Sequence, residues 1–511
     1  MSDVFLMAPL VTHAMIAAGV GWVLLRAVRW IHRLSAPVGR IVAASLIVRA
    51  LLGLTFFWVS YLNLPVLRSL HSGDGFWFLA KDARSYYGYA TFALDHGFRG
   101  VDSGGASPFF VKALAAWMNV VGVSPAAGLY LNLCLYIGVV VLIVWAFAPA
   151  NDWRRDLPCI SGTAAFSFSP VSIIDSTQSL KDDMFTALIT AMCVGAWLLL
   201  GALIYDDRAM TRRSRTVLGG GMLCGAIFCI AGIRGYYAVI SCAALAVVLA
   251  VFAVRQAPRR LTRYAMGSVL VLTGAWWAYA AGAGPYYRGP IFADVLRAVG
   301  WTGSAPQSAT RPDFPSRLVG SLDEARTGFV LTGGATNIKM REWDEPSGAS
   351  VEGAGATNIK VRGRDEPPVG GVTGLGASIT RSVRYRAKLV TLGLAVVFTP
   401  ISALKALSIV EFTGGRGLLP LADLDTVFLD LSMLSVLTLL STRRRSVGDR
   451  LPFIVFGITL SLVTAALLGY VVTNYGTLFR LRLIVAAPIW TLALALSHIN
   501  GVSERPPADT L

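Results

Sequence analysis

Apolar runs of roughly 17–25 residues, the length a helix needs to cross the hydrocarbon core, recur along most of this chain between short polar gaps. They predict helices at about 4–25, 41–66, 127–148, 157–174, 183–204, 217–234, 237–254 and 265–282, and again at about 424–441, 452–473 and 483–499. Only helices or closed barrels satisfy every backbone group in lipid, and barrel strands are far shorter than these runs. The pattern therefore predicts an all-α polytopic membrane protein with about eleven transmembrane helices. Two stretches depart from it. Ser107 to Gly122 is apolar but short and carries Lys112, which predicts an interfacial helix lying on the membrane. The run 387–410 contains Pro400 and Lys405 and reads as a re-entrant or interfacial element.

Composition agrees, with 55% hydrophobic and 14% charged residues. The net charge of +16 changes the picture through its placement. Arginines gather in gaps between apolar runs: Arg26, Arg29, Arg33 and Arg40; Arg154 and Arg155; Arg208, Arg212, Arg213 and Arg215; Arg255, Arg259, Arg260 and Arg263; Arg443, Arg444, Arg445 and Arg450. This is the positive-inside pattern, so these gaps are assigned to the cytoplasm. No basic soluble domain is present to bind nucleic acid. The six cysteines (Cys134, Cys159, Cys193, Cys224, Cys229, Cys242) all fall in apolar spans and read as small hydrophobes, neither a disulfide framework nor a metal cluster. Residues 1–25 lack a basic leader and read as a first transmembrane helix.

Alternation from the cytoplasmic gaps gives the organisation. Residues 1–282 form an N-terminal transmembrane module whose first external loop is 67–126. Residues 283–385 form a small external insertion, 386–499 a C-terminal transmembrane module and 500–511 a cytoplasmic tail. The insertion contains a duplication, Gly334-Ala335-Thr336-Asn337-Ile338-Lys339 and Gly355-Ala356-Thr357-Asn358-Ile359-Lys360, each running on to Asp-Glu-Pro. Two copies are too few for a solenoid; they read as a duplicated loop or hairpin, or as a lid over a substrate.

Polar chemistry converges on the expected outer face. Lys81-Asp82-Ala83-Arg84-Ser85-Tyr86-Tyr87 follows a long apolar span, with Asp82 and Tyr86 four apart, at helical spacing. Ser169-Pro170, Asp175 and Lys181-Asp182-Asp183 mark the end of one helix and the start of the next. Arg234 lies in a tight turn, and Arg480 and Arg482 lie between the last two crossings. Carboxylates and arginines at one membrane level suit an anionic, lipid-tethered substrate. Plainer roles compete. Asp82 can cap a helix or pair with Arg84; Asp182 and Asp183 can favour a helix N-terminus. Arg480 and Arg482 can snorkel to lipid phosphates. The tyrosine pairs Tyr86-Tyr87, Tyr236-Tyr237 and Tyr286-Tyr287 can form an aromatic belt. His71 and His96 read as polar loop residues, and no metal or other cofactor is expected.

The order of these elements resembles the GT-C glycosyltransferases, a superfamily that includes protein O-mannosyltransferases and the lipid A aminoarabinose transferase. The resemblance covers roughly residues 41–205: Asp82 with Tyr86, the Ser107-Pro108 start of an interfacial helix, the Arg154-Arg155 turn, then Asp182 or Asp183. The chain departs from the family where Asp82-Ala83 replaces paired acids and Ser107-Pro108 replaces paired prolines, and the first external loop holds no Asp-x-Asp motif. The resemblance implies an inner (plasma) membrane enzyme with its active site facing the periplasm or exterior. That enzyme moves a sugar, with inversion, from a polyprenyl-phosphate donor to an envelope glycan, lipid or protein acceptor. Asp82 is then the catalytic base, and Tyr86, Lys181, Asp182, Asp183, Arg234, Arg480 and Arg482 bind substrate. A polysaccharide polymerase or ligase, with arginines such as Arg317, Arg326, Arg341, Arg362 or Arg364 in the late loop, is the nearest alternative, and a transporter or flippase the more distant one.

Overall fold

The computed structural model describes residues 2–68, 70–77, 80–98, 107–147, 153–204, 209–255, 271–279, 337–340, short pieces between 390 and 403, 410–413, 419–442, 444–471 and 475–502. Arg317, Arg326, Arg341, Arg362, Arg364, Tyr286, Tyr287 and the second copy of the duplication lie outside them. The described residues are overwhelmingly helical, with two small two-stranded sheets. Among the described residues seven helices are long and apolar enough to cross a membrane, and four shorter apolar helices accompany them. The protein is an all-α membrane protein, with seven such spans described where the hydrophobic pattern predicts about eleven.

The residues fall into two compact units: Met1–Pro312 with Ser432–Ser461 and Ala486–Leu511, and Asp313–Leu431 with Leu462–Val485. In the first, α1 (Ser2–Leu34) and α2 (Ala36–Tyr61) run antiparallel about a turn at Ser35. A Cβ on Gly39 would meet the His32 backbone at 2.5 Å, so the turn closes only around glycine. At the turn both helices run past the expected boundaries: the basic residues Arg26, Arg29, Arg33 and Arg40 are helical, because arginine is a good helix former. At the far end of α2, a hairpin of β1 (His71–Gly73) and β2 (Phe76–Trp77) is pinned by Ser60 Oγ donating to Phe76 O (2.6 Å) and Trp77 Nε1 donating to Phe56 O (2.7 Å). Gly73, Asp74 and Gly75 at its tip all have positive φ, and a Cβ on Gly75 would strike Phe57 at 2.6 Å.

Two amphipathic helices follow, α3 (Lys81–His96) and α4 (Pro108–Val121), then the span α5 (Ala126–Phe147). The expected single helix at 157–174 is broken into α6 (Trp153–Phe168) and α7 (Pro170–Ser176). Ser169 caps α7, its Oγ accepting from Ser172 N at 3.2 Å, and Pro170 occupies the first turn, where a missing N–H does no harm. Next come α8 (Lys181–Ile204), α9 (Ala209–Ile233) and α10 (Gly235–Arg255). Helices α8 and α9 approach backbone to backbone. A Cβ on Gly195 would lie 2.8 Å from Leu223 N, and one on Gly219 would lie 2.7 Å from Leu199 N. Small residues at a crossing are how helices associate where lipid competes on equal terms with apolar side chains.

Three helices close the chain: α11 (Leu419–Thr442), α12 (Arg444–Val471) and α13 (Tyr475–Val502). Trp197 packs on Phe453, and Trp490 stacks on Phe166, within the first unit. In the second unit β3 (Asn337–Met340), from the first copy of the duplication, pairs antiparallel with β4 (Val410–Thr413). All six cysteines are free thiols.

Candidate functional site

The site is assembled at the end of the helices opposite the Ser35 turn, where α8 begins, α9 ends and α3 and α4 start. Antiparallel packing of α8 on α9 brings their termini together. Arg234 Nη2 pairs with Asp182 Oδ1 at 3.3 Å, and Arg234 Nη1 donates to Tyr236 Oη at 2.8 Å. The pair is buried, with side chains only 13% and 4% exposed. The guanidinium also lies over the Phe185 ring, 5.3 Å from its centroid. Its third nitrogen, Nε, is buried and has no hydrogen-bond partner among the described residues.

Lys181 Nζ donates to Ser107 Oγ at 2.7 Å and sits 5.4 Å from the Tyr86 ring centroid. Ser107 is held in the left-handed region (φ 52°) as the residue before α4, which turns its hydroxyl to this cluster. Tyr86 is buried, packs edge-on against Phe110 and hydrogen-bonds Ser107. Burial pushes its phenol well above the usual tyrosine range, and the Asp82 and Asp182 carboxylates push it further. Phe76, Ala80, Ala83 and Leu180 form the apolar cluster beneath, joining the hairpin, the start of α3 and the residue preceding Lys181. Asp82 occupies the first turn of α3 and is exposed to solvent. Arg84 pairs with Asp74, at 2.9 Å.

Asp82, Tyr86, Lys181, Asp182 and Arg234 therefore share one neighbourhood, drawn from three segments far apart in sequence. Asp183 is buried one residue on, facing the bundle, and interacts electrostatically with Arg49 as well as Asp182. Arg482 belongs to the second unit. It is 2% exposed within α13, not in a loop, and its Nη1 donates to Thr426 Oγ1 at 2.6 Å in the second unit. Leu481–Leu496 of that helix is apolar. The side chain of Arg480 lies outside the described residues. His71 bonds Leu64 O and His96 bonds Phe92 O, both local contacts.

Two participants are absent from the expected set. Tyr236, read only as a belt residue, orients Arg234. Arg49 is fully buried in α2 among the carbonyls and hydroxyls of α6 and α7. Its signal in the sequence is a lone charge inside an apolar run, with Ser45 four residues before. No protein family, curated protein or solved structure matches this chain.

Proposed function

We propose that this chain is an integral-membrane inverting glycosyltransferase that moves a sugar from a polyprenyl-phosphate donor to an envelope acceptor on the extracytoplasmic face. The observation that carries the reading is the gathering of Asp82, Tyr86, Lys181, Asp182 and Arg234 at one end of a membrane bundle. An exposed carboxylate thus stands beside a lysine and an arginine whose buried Nε–H has no partner among the described residues. A phosphate oxygen supplies the acceptor that this donor lacks, and charge-assisted bonds of that kind are the strong ones.

Asp82 takes the proton of an acceptor hydroxyl as its oxygen forms a bond to the anomeric carbon from the face opposite the donor phosphate. The bond from that carbon to the phosphate oxygen breaks, and its electron pair leaves with polyprenyl phosphate. Arg234 and Lys181 stabilise the growing negative charge from fixed positions, where donors need no reorganisation during the reaction. Asp182 holds Arg234 in place, and the neutral Tyr86 phenol offers a hydroxyl to the sugar.

Membranes carrying the wild type or Asp82→Asn, given radiolabelled polyprenyl-phosphate sugars and an envelope acceptor fraction, test the reading. Wild-type transfer is expected to fall on the order of 10²–10⁴-fold in the variant, the usual weight of a general base, with donor binding retained. Equal transfer by both proteins removes Asp82 from the chemistry.

A further inference from the structure

Among the described residues Arg49 is the largest fully buried side chain. A cation placed in an apolar helix needs a compensating structure, and here that structure is the break between α6 and α7. Pro170 has no N–H to offer the carbonyl four residues earlier; that carbonyl, Phe166 O, lies 3.4 Å from Arg49 Nη2. Nη2 also donates to Ser167 O (3.1 Å) and Ser172 Oγ (2.7 Å). Nη1 donates to Ser176 Oγ (2.9 Å) and to Ser172 O, and Nε to Ser45 Oγ (3.2 Å). The guanidinium covers the Tyr136 ring at 4.3 Å, and Tyr136 Oη bonds Ser167 Oγ at 2.8 Å. Asp183 and Asp175 supply opposing charge. One side chain thus replaces the backbone bonds lost at the proline and ties both sides of the break to α2.

The connector held this way leads directly to the site. After α7 the chain makes a buried turn, Thr177–Leu180, and enters Lys181-Asp182-Asp183. Asn132 Nδ2 from α5 donates to Asp175 O (3.2 Å) and Gln178 O (2.6 Å), and Gln178 Nε2 lies 3.4 Å from Gly75 O at the hairpin tip. Leu180 packs with Ala83, one residue from Asp82.

We infer that Arg49 is a positioning residue: by clamping the α6–α7 break it sets where the connector delivers Lys181 and Asp182 against Ser107, Tyr86 and Arg234. The inference rests on the proposed site but is tested without its activity. In the full-length protein, with the six cysteines replaced by alanine, Ser107→Cys and Lys181→Cys are joined in membranes by a short bis-methanethiosulfonate, and the rate of crosslinking is read. Arg49→Met is expected to lower that rate about tenfold, a population change of about 1.4 kcal/mol, with Arg49→Lys in between because it keeps the charge and loses the fork. Ser172→Ala with Ser176→Ala, which removes two acceptors and leaves Arg49 in place, is expected to lower it in the same direction. Thr190→Val, which removes a buried hydroxyl that donates to Thr186 O of its own helix, is expected to leave it unchanged. Wild-type crosslinking in Arg49→Met overturns the inference. If Arg49→Met fails to accumulate, wild-type crosslinking in the serine pair overturns it instead. Transfer is read separately, in protein that keeps Ser107 and Lys181: equal transfer by the wild type and Asp82→Asn beside slowed crosslinking defeats the glycosyltransferase reading and leaves the positioning role standing, and transfer lost in Asp82→Asn beside unchanged crosslinking does the reverse.

Discussion

The Asp182–Arg234 pair allows a quantitative test of how the site is held. At 3.3 Å and an effective dielectric constant of about 20, the attraction between the two charges is about 5 kcal/mol. Desolvation offsets much of it, costing several kcal/mol per ion, so the intact pair contributes little over a neutral, well-packed alternative. Removing one partner is different, because it strands the other charge in a buried place. Such a loss runs about 3–5 kcal/mol. The lower end applies here, since the contact is a single 3.3 Å bond and Arg234 keeps the Tyr236 hydroxyl. Asp182→Asn and Arg234→Gln are each expected to destabilise by about 3 kcal/mol, and the double variant by about the same amount, not twice it. Equilibrium unfolding in mixed micelles, followed by helical circular dichroism, supplies the cycle. A coupling below about 0.5 kcal/mol, the scatter of independent sites, would refute the claim that Asp182 holds Arg234 in place.

Two further outcomes probe the packing and the electrostatics. Gly195→Ala places a methyl 2.8 Å from Leu223 N and 2.9 Å from Gly219 O, backbone atoms with no rotamer to escape into. It is expected to cost about 1–3 kcal/mol in the same unfolding assay, whereas Gly221→Ala, with nothing within 4 Å of the new carbon, is expected to be neutral or stabilising. The raised Tyr86 pKa fixes the sign of a pH effect. Unfolded tyrosines ionise near pH 10 while buried Tyr86 resists, so stability present below about pH 10 is lost as pH rises above it. Tyr86→Phe is expected to lessen that alkaline loss, and an unchanged pH profile would mean that the phenol is not held neutral by burial.

Most of the helices were legible as apolar runs, since lipid imposes one length and one backbone solution. The amphipathic helix after Ser107 was legible from its single lysine and short length. The break at Ser169-Pro170 was visible as a helix boundary but not as a fold within one span, because its cost is met by Arg49 from another helix. Periodicity carries no record of such a partner. Likewise Arg480 and Arg482 resembled loop cations until α13 proved to begin at Tyr475.

By itself the sequence determined the class of this protein, the approximate place of most of its helices and the identity of the polar residues at their ends, because these depend on local composition and a uniform apolar solvent. Tertiary structure alone decided which of those residues meet. The glycine contact of α8 with α9 carries Asp182 to Arg234, and the left-handed Ser107 carries a hydroxyl to Lys181. The clamp at Arg49 spans more than a hundred residues of chain to reach Ser167, Ser172 and Ser176. Contacts of that range are set by how rigid helices pack, and packing is decided by all of the faces together.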